Sequence, residues 1–213
     1  MDADYMWVDG IPFPKFTVEN LELLRDEFVV KDEDVITLSY PKSGTNWLLE
    51  IISLIHSRGD PSWVQSVVNW DRSPWLENVD GYEEIRKRRP EKGPRFYTSH
   101  LPIQFFPRSF FSSKAKDRRG TIELISQFLG YKLTPEELSS VLKNISFQVM
   151  KDNKMSNFCQ LPDTLMDHSK AQLIRKGITG DWKNHFTVAL SETFDKVYEK
   201  KMAGLPREAF PWE

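Results

Sequence analysis

The residues best suited to chemistry lie in the run Tyr40-Pro41-Lys42-Ser43-Gly44-Thr45-Asn46-Trp47. It joins Val35-Ile36-Thr37-Leu38-Ser39-Tyr40, rich in β-branched and aromatic residues, to a dense apolar stretch from Asn46 to Ser57. A strand that passes through a glycine turn into a helix presents backbone N–H groups with no helical partner, and such groups bind anions. Gly44 lets the backbone approach a ligand closely. Ser43, Thr45 and Asn46 add side-chain donors, and Lys42 adds a point charge. Lys42 precedes the glycine instead of following one, so this is not the standard loop of nucleoside triphosphatases. A second group of interest is Arg175-Lys176-Gly177, a compact cationic loop suited to a phosphate. His100 stands at the end of a second strand candidate, Arg95 to His100, which Pro102 stops. Strand ends are where α/β proteins bind ligands, and an imidazole is a suitable base near neutrality. His56, His168 and His185 are scattered; no metal-ligand cluster is visible, and no metal is expected.

The elements that must position these groups read as an α/β fold. Leu21, Leu24 and Phe28 have helical spacing over Glu19 to Phe28, after an extended segment at 11–17 that contains Pro12 and Pro14. Residues 58–94 are loop-rich, with a charged helix or solvated face at Glu83 to Arg89. Gly120 to Gly130 has helical character. Thr134-Pro135-Glu136-Glu137 is a helix start with a capping box, and that helix runs to about Lys143. A last helix spans Val188 to Met202, and Phe210-Pro211-Trp212 forms a tail pinned by aromatics.

Bulk properties narrow the function. The 213 residues carry a net charge of only -2, so no global field attracts nucleic acid or a membrane surface, and any anion must be met locally. No stretch approaches the roughly 20 apolar residues needed to span a bilayer. The N-terminus lacks the basic and apolar regions of a signal peptide. A single cysteine, Cys159, read as a half-buried small side chain, fits a reducing, cytosolic setting.

The octapeptide at 40–47 resembles the 5′-phosphosulfate loop of cytosolic sulfotransferases. Thr98-Ser99-His100-Leu101-Pro102 resembles their catalytic-histidine segment. Residues 175–186 resemble their C-terminal 3′-phosphate loop. Ser73-Pro74-Trp75 and the closing Phe-Pro-Trp-Glu look like the hydroxysteroid/bile-salt subfamily. The similarity covers nearly all of residues 1–116 and 118–213. It implies a P-loop-type parallel sheet flanked by helices, and sulfuryl transfer from 3′-phosphoadenylyl sulfate (PAPS) to the hydroxyl of a steroid, bile acid or similar small-molecule alcohol. By this resemblance His100 takes the hydroxyl proton and Lys42 stabilises charge on the oxygen leaving sulfur. Trp47 and Phe147 sandwich the adenine. Arg175, Lys176 and Gly177 hold the 3′-phosphate. Phe13, Trp70 and Trp75 are candidates for an apolar acceptor pocket. Lys183, Thr187, Val188 and Glu192 match the family's short dimer motif and imply a possible homodimer. A nucleotide kinase or P-loop phosphatase is a rival reading; the position of Lys42 and the lack of a recognisable strand and Asp for magnesium count against it.

One departure stands out. Where relatives continue into a strand, an Arg-Asn-Pro-Arg-Asp segment and a serine of the 3′-phosphate clamp, Lys116 runs directly into Asp117-Arg118-Arg119. The chain therefore reads as a single sulfotransferase domain, shortened internally between 116 and 117 by on the order of 70 residues, as two strands with helical crossovers require. The expectation that follows is missing central strands and helices, and weak activity at best. In the alternative reading the impaired chain acts at most as a dimerisation partner of a full-length sulfotransferase.

Overall fold

In the computed structural model the described residues are 5–19, 21–88, 94–112, 122–163, 166–170, 172–178 and 180–204. The chain packs as two compact units, Met1–Ile174 and Arg175–Glu213. The junction at 116/117, Arg118, Arg119 and the Phe210-Pro211-Trp212 tail lie outside the described residues.

The first unit opens on a hairpin. β1 (Tyr5–Val8) pairs antiparallel with β2 (Ile11–Pro14) in the register Val8↔Ile11. Asp9 and Gly10 turn the chain with φ of 50° and 77°, the two positive values that a tight hairpin turn demands and that Asp-Gly supplies. The extended segment expected at 11–17 is thus a strand followed by a short helix, α1 (Lys15–Val18).

After α2 (Leu21–Glu27) comes β3 (Val35–Leu38), which pairs in parallel with β4 (Phe96–Ser99) in the register Leu38↔Ser99. A parallel pair needs a crossover. Here it contains α3 (Thr45–His56), α4 (Ser62–Ser66), α5 (Asn69–Arg72) and α6 (Val79–Lys87). The stretch read as loop-rich therefore holds two short helices and a longer one. Pro74 to Leu76 line the other edge of β4: Leu76 N–H donates to Thr98 O at 2.8 Å, and Thr98 N–H to Pro74 O at 2.9 Å. All four residues of β4 are buried.

Side chains alternate across this pair. Tyr97 joins Leu24, Phe28, Tyr82 and Ile85 in one apolar cluster. Phe96 joins Leu54 and Ile55 of α3 in the other, with Ile125 of α7 (Ile122–Phe128) and Val141 of α8 (Pro135–Asn144). Thr134 and Glu137 form the capping box expected of α8. α9 (Phe147–Asp152), which the sequence does not announce, follows directly.

Two buried ion pairs brace these layers. Arg95 Nε donates to Asp34 Oδ1 at 2.8 Å, and the Tyr97 hydroxyl donates to the same carboxylate at 3.0 Å. Burial, then Asp34, push the Tyr97 phenol well above its ordinary range. Arg72 pairs with Glu50 of α3, which also accepts from Ser156 Oγ at 2.7 Å.

Cys159 is exposed, not half-buried. Phe158 precedes it at φ 65° and its own N–H is bound by Asn157 Oδ1, a tight turn on the surface. Gly81 marks the tightest packing: a Cβ there would lie 2.1 Å from Trp75 O. Gly81→Ala must lift α6 from the Trp75 segment, and should lower the unfolding free energy by about 2–3 kcal/mol. A urea midpoint that drops at constant slope would show it; an unchanged midpoint would mean that the loop yields freely.

The second unit holds a 3-10 turn at Asp181–Asn184 and α10 (Val188–Met202), capped by Thr187 Oγ1, which accepts from Leu190 N–H at 3.2 Å. The α10 bounds are those expected from its periodicity. None of its residues is buried.

Candidate active site

β3 delivers the chain to the anion loop, and the loop is shaped by its own bonds. Ser43 closes a turn on Tyr40 O, through its hydroxyl at 2.7 Å and its N–H at 3.2 Å. Lys42 has φ 68° and Gly44 φ 109°. Gly44 is the N-cap of α3 and no side chain caps that end. The first-turn N–H groups of Thr45, Asn46 and Trp47 thus form the positive pole of a 12-residue helix with no side-chain cap. A Cβ built on Gly44 would meet nothing within 4 Å, so the approach is open. Lys42 and Ser43 are exposed, Asn46 is half-buried and Thr45 is buried.

Ser39 links this loop to His100. Its hydroxyl lies 2.6 Å from Thr45 Oγ1. Its carbonyl lies 2.8 Å from His100 Nδ1, and its hydroxyl 3.5 Å from the same nitrogen. A carbonyl only accepts, which assigns the proton to Nδ1 and leaves Nε2 of the neutral ring bare to receive one. The Trp75 ring stands edge-on to His100, centroids 5.1 Å apart. The His100 peptide N–H donates to Glu77 Oε1 at 2.6 Å. Sequence reasoning missed Ser39 and Glu77. Ser39 was legible as the last polar position before the loop; nothing in the sequence ties Glu77 to His100.

The other predicted site residues divide. Trp47 is half exposed and its Nε1 donates to Ile145 O at 3.1 Å, which brings it to the α8–α9 connection, two residues from Phe147. Phe147 is half-buried, with Lys151 Nζ 5.7 Å from its ring centroid. Of the three acceptor-pocket candidates, Trp75 packs against His100. Phe13 is buried in the core, edge-on to Phe105 at 5.3 Å, and Trp70 packs on Phe158 at 5.1 Å.

In the second unit, Arg175 and Lys176 converge on Asp181, at 2.5 Å and 2.6 Å. Asn184 Nδ2 donates to the same carboxylate at 3.0 Å. Lys176 first, then Asn184 and Arg175, hold the Asp181 carboxyl far below the usual range. Gly177 and Gly180, at φ 63° and 79°, supply the left-handed turns of this loop. A phosphate bound by Arg175 and Lys176 would share them with Asp181. The dimer-motif residues Lys183, Thr187, Val188 and Glu192 are all exposed. Among the described residues no cluster of three or more His, Cys, Asp or Glu could hold a metal, and no helix is long and apolar enough to cross a membrane.

A parallel strand pair, a glycine loop capping the helix between them, and a histidine at the second strand's end make an α/β site with the groups needed to hold an anionic ligand beside a base. The sequence profile of the Sulfotransferase domain matches residues 32–116 and 115–206, and the chain belongs to the sulfotransferase family. It is 46% identical to Sulfotransferase 2A1 of Macaca fascicularis over 289 positions that cover 100% of both chains. It is 42% identical to the 3-beta-hydroxysteroid sulfotransferase of Cavia porcellus, covering 100% of this chain and 99% of that one. Among solved structures, retinol dehydratase in complex with androsterone and inactive cofactor PAP superposes with a TM-score of 0.72 at 13% identity, covering 92% of this chain and 88% of that one. Mouse sulfotransferase SULT7A1 complexed with PAP gives 0.69 at 20%, covering 95% and 96%. These structural likenesses carry the fold.

Proposed function

We propose that this chain moves a sulfuryl group from PAPS to the hydroxyl of a steroid or similar alcohol. The observation that carries the reading is Ser39, whose hydroxyl meets Thr45 of the anion loop and whose carbonyl orients His100. The first-turn N–H groups of α3, with Ser43 and Asn46, would hold the 5′-phosphosulfate, and the open space at Gly44 fits it. PAPS supplies the sulfuryl group and, as the S–O bond to its phosphate breaks, the leaving group. His100 Nε2 receives the proton as the acceptor oxygen bonds sulfur. Lys42 stabilises the charge that collects on the departing oxygen. Trp75 would offer an apolar wall beside His100, and Trp47 and Phe147 would stack on the adenine. Its hydroxysteroid sulfotransferase relatives support a steroid acceptor.

The chain is further read as one sulfotransferase domain shortened between 116 and 117. Support comes from the profile match, whose two pieces meet at 115–116, and from the 289 aligned positions against 213 residues, a difference of 76. A homodimer through Lys183, Thr187, Val188 and Glu192 is supported by their exposure.

A thermal melt of the purified chain with the desulfonated product, 3′-phosphoadenosine 5′-phosphate, tests the donor site. At about 100 times Kd, binding adds roughly 2.7 kcal/mol and should raise the midpoint by roughly 5–10 °C. A melt unmoved by saturating ligand would sink the reading.

A further inference from the structure

Glu77 is an acidic side chain with 4% exposure. Burying a carboxyl is costly unless its oxygens find partners. One oxygen has done so: Oε1 accepts the His100 N–H at 2.6 Å. The other, Oε2, is buried with no hydrogen-bond partner among the described residues. Burial pushes this carboxyl up, and the His100 N–H, its own backbone and the Ser99 hydroxyl oppose the shift.

The surrounding frame allows Glu77 little freedom. Leu76 is tied to Thr98 of β4, so the residue after it must lie beside the end of that strand. Asn78 then caps α6, accepting from Asp80 N–H at 2.9 Å. Trp75 O is clamped by the close approach of Gly81. Glu77 is the one residue between a paired segment and a capped helix. It meets His100 from the side of β4 opposite Ser39.

We propose that Glu77 is a positioning residue for sulfuryl transfer: it fixes the peptide of His100 while Ser39 O fixes the ring, so that Nε2 is held at one angle to the acceptor hydroxyl. Either bond alone leaves the residue free to pivot about the other. A misplacement of about 1 Å at reacting atoms can cost about 10²-fold in rate. The hydrogen bond, not the charge, does the positioning, so an amide oxygen in place of the carboxylate should serve.

The proposal rests on His100 as the base, and its test does not. The full chain has four histidines, whose ring nitrogens are followed by long-range ¹H–¹⁵N spectra, with His100 assigned by its loss in His100→Asn. Wild type and Glu77→Gln are expected to show a single His100 tautomer protonated at Nδ1. Glu77→Leu is expected to keep that tautomer, which Ser39 O sets, but to exchange its His100 amide roughly tenfold faster and to lose roughly 10- to 100-fold in kcat at unchanged KM for PAPS. A His100 amide that exchanges no faster in Glu77→Leu, or an unchanged kcat, overturns the proposal. Should Glu77→Leu fail to fold, amide hydrogen exchange of His100 decides. Glu77→Asp, one methylene shorter, should exchange roughly tenfold faster than Glu77→Gln, and equal rates overturn the proposal. Transfer that survives in His100→Asn would remove the base itself while the hydrogen-bond result still stood, so the two failures are distinct.

Discussion

Replacing His100 with Asn is expected to lower kcat by roughly 10²- to 10⁴-fold, the range that a positioned proton acceptor contributes. The substitution is chosen for what it keeps. Asn retains a side-chain N–H that can donate to Ser39 O, where His100 Nδ1 now sits at 2.8 Å. Its peptide N–H can still donate to Glu77. What it lacks is a nitrogen able to receive the acceptor's proton. The melt with 3′-phosphoadenosine 5′-phosphate should therefore shift as in wild type while turnover of PAPS with a steroid alcohol falls. Equal turnover in both chains would mean that the proton leaves by another route.

Arg72→Ala should be the most damaging single change to the fold, at about 3–5 kcal/mol. That is a large part of the 5–15 kcal/mol that holds a typical domain together. Both Arg72 and Glu50 are 1% exposed, and Arg72 Nη2 pairs with the Glu50 carboxylate, while Nη1 is buried without a hydrogen-bond partner among the described residues. Arg72 Nε also donates to Val67 O at 3.0 Å, so α5 is fastened through this side chain. Losing the guanidinium strands a buried Glu50 carboxylate, with Ser156 as its remaining hydrogen-bond partner among the described residues. Arg72→Met combined with Glu50→Leu removes both charges and should cost much less than Arg72→Ala alone. Urea midpoints of the two variants separate the cases. A double variant as weak as the single one would show that the pair holds by shape and not by charge.

The local parts of this design were legible in the sequence. β3, the glycine loop and α3 announce themselves because strand propensity, turn chemistry and apolar density change within a few residues of each other. The same holds for α8, whose Thr134 and Glu137 cap it reciprocally, and for α10. The family motifs found Lys42 and His100. The hairpin signal at Asp9-Gly10 was present, but with Pro12 and Pro14 the stretch 11–17 read only as an extended segment, without its strand partner. α4 and α5 are too short for periodicity to show and are held by tertiary bonds, such as Arg72 to Glu50. The bond from His100 to Ser39 was hidden for a different reason. It depends on the parallel register that sets Leu38 against Ser99, and no local pattern encodes a register between distant strands. Glu77 was hidden likewise, because a lone acidic residue reads as solvent-facing until Leu76 is seen to pair with β4. The grip of Asp181 on Arg175 and Lys176 needs left-handed turns at Gly177 and Gly180, and spacing alone does not show it.

The pairing of β3 with β4 also bears on the order in which the molecule can be built. Ser39 and His100 are 61 residues apart in sequence. The anion loop can form early, from neighbours along the chain, but its histidine arrives only when that long loop closes. Such closure loses entropy before any contact rewards it, and parallel topologies are slow for this reason. During synthesis, the first hundred residues must have emerged before the two halves of the site can meet. Until then α3 carries its apolar face, Leu54 and Ile55 included, without Phe96 to cover it, and the nascent chain passes through an interval in which sticking to a neighbour competes with folding.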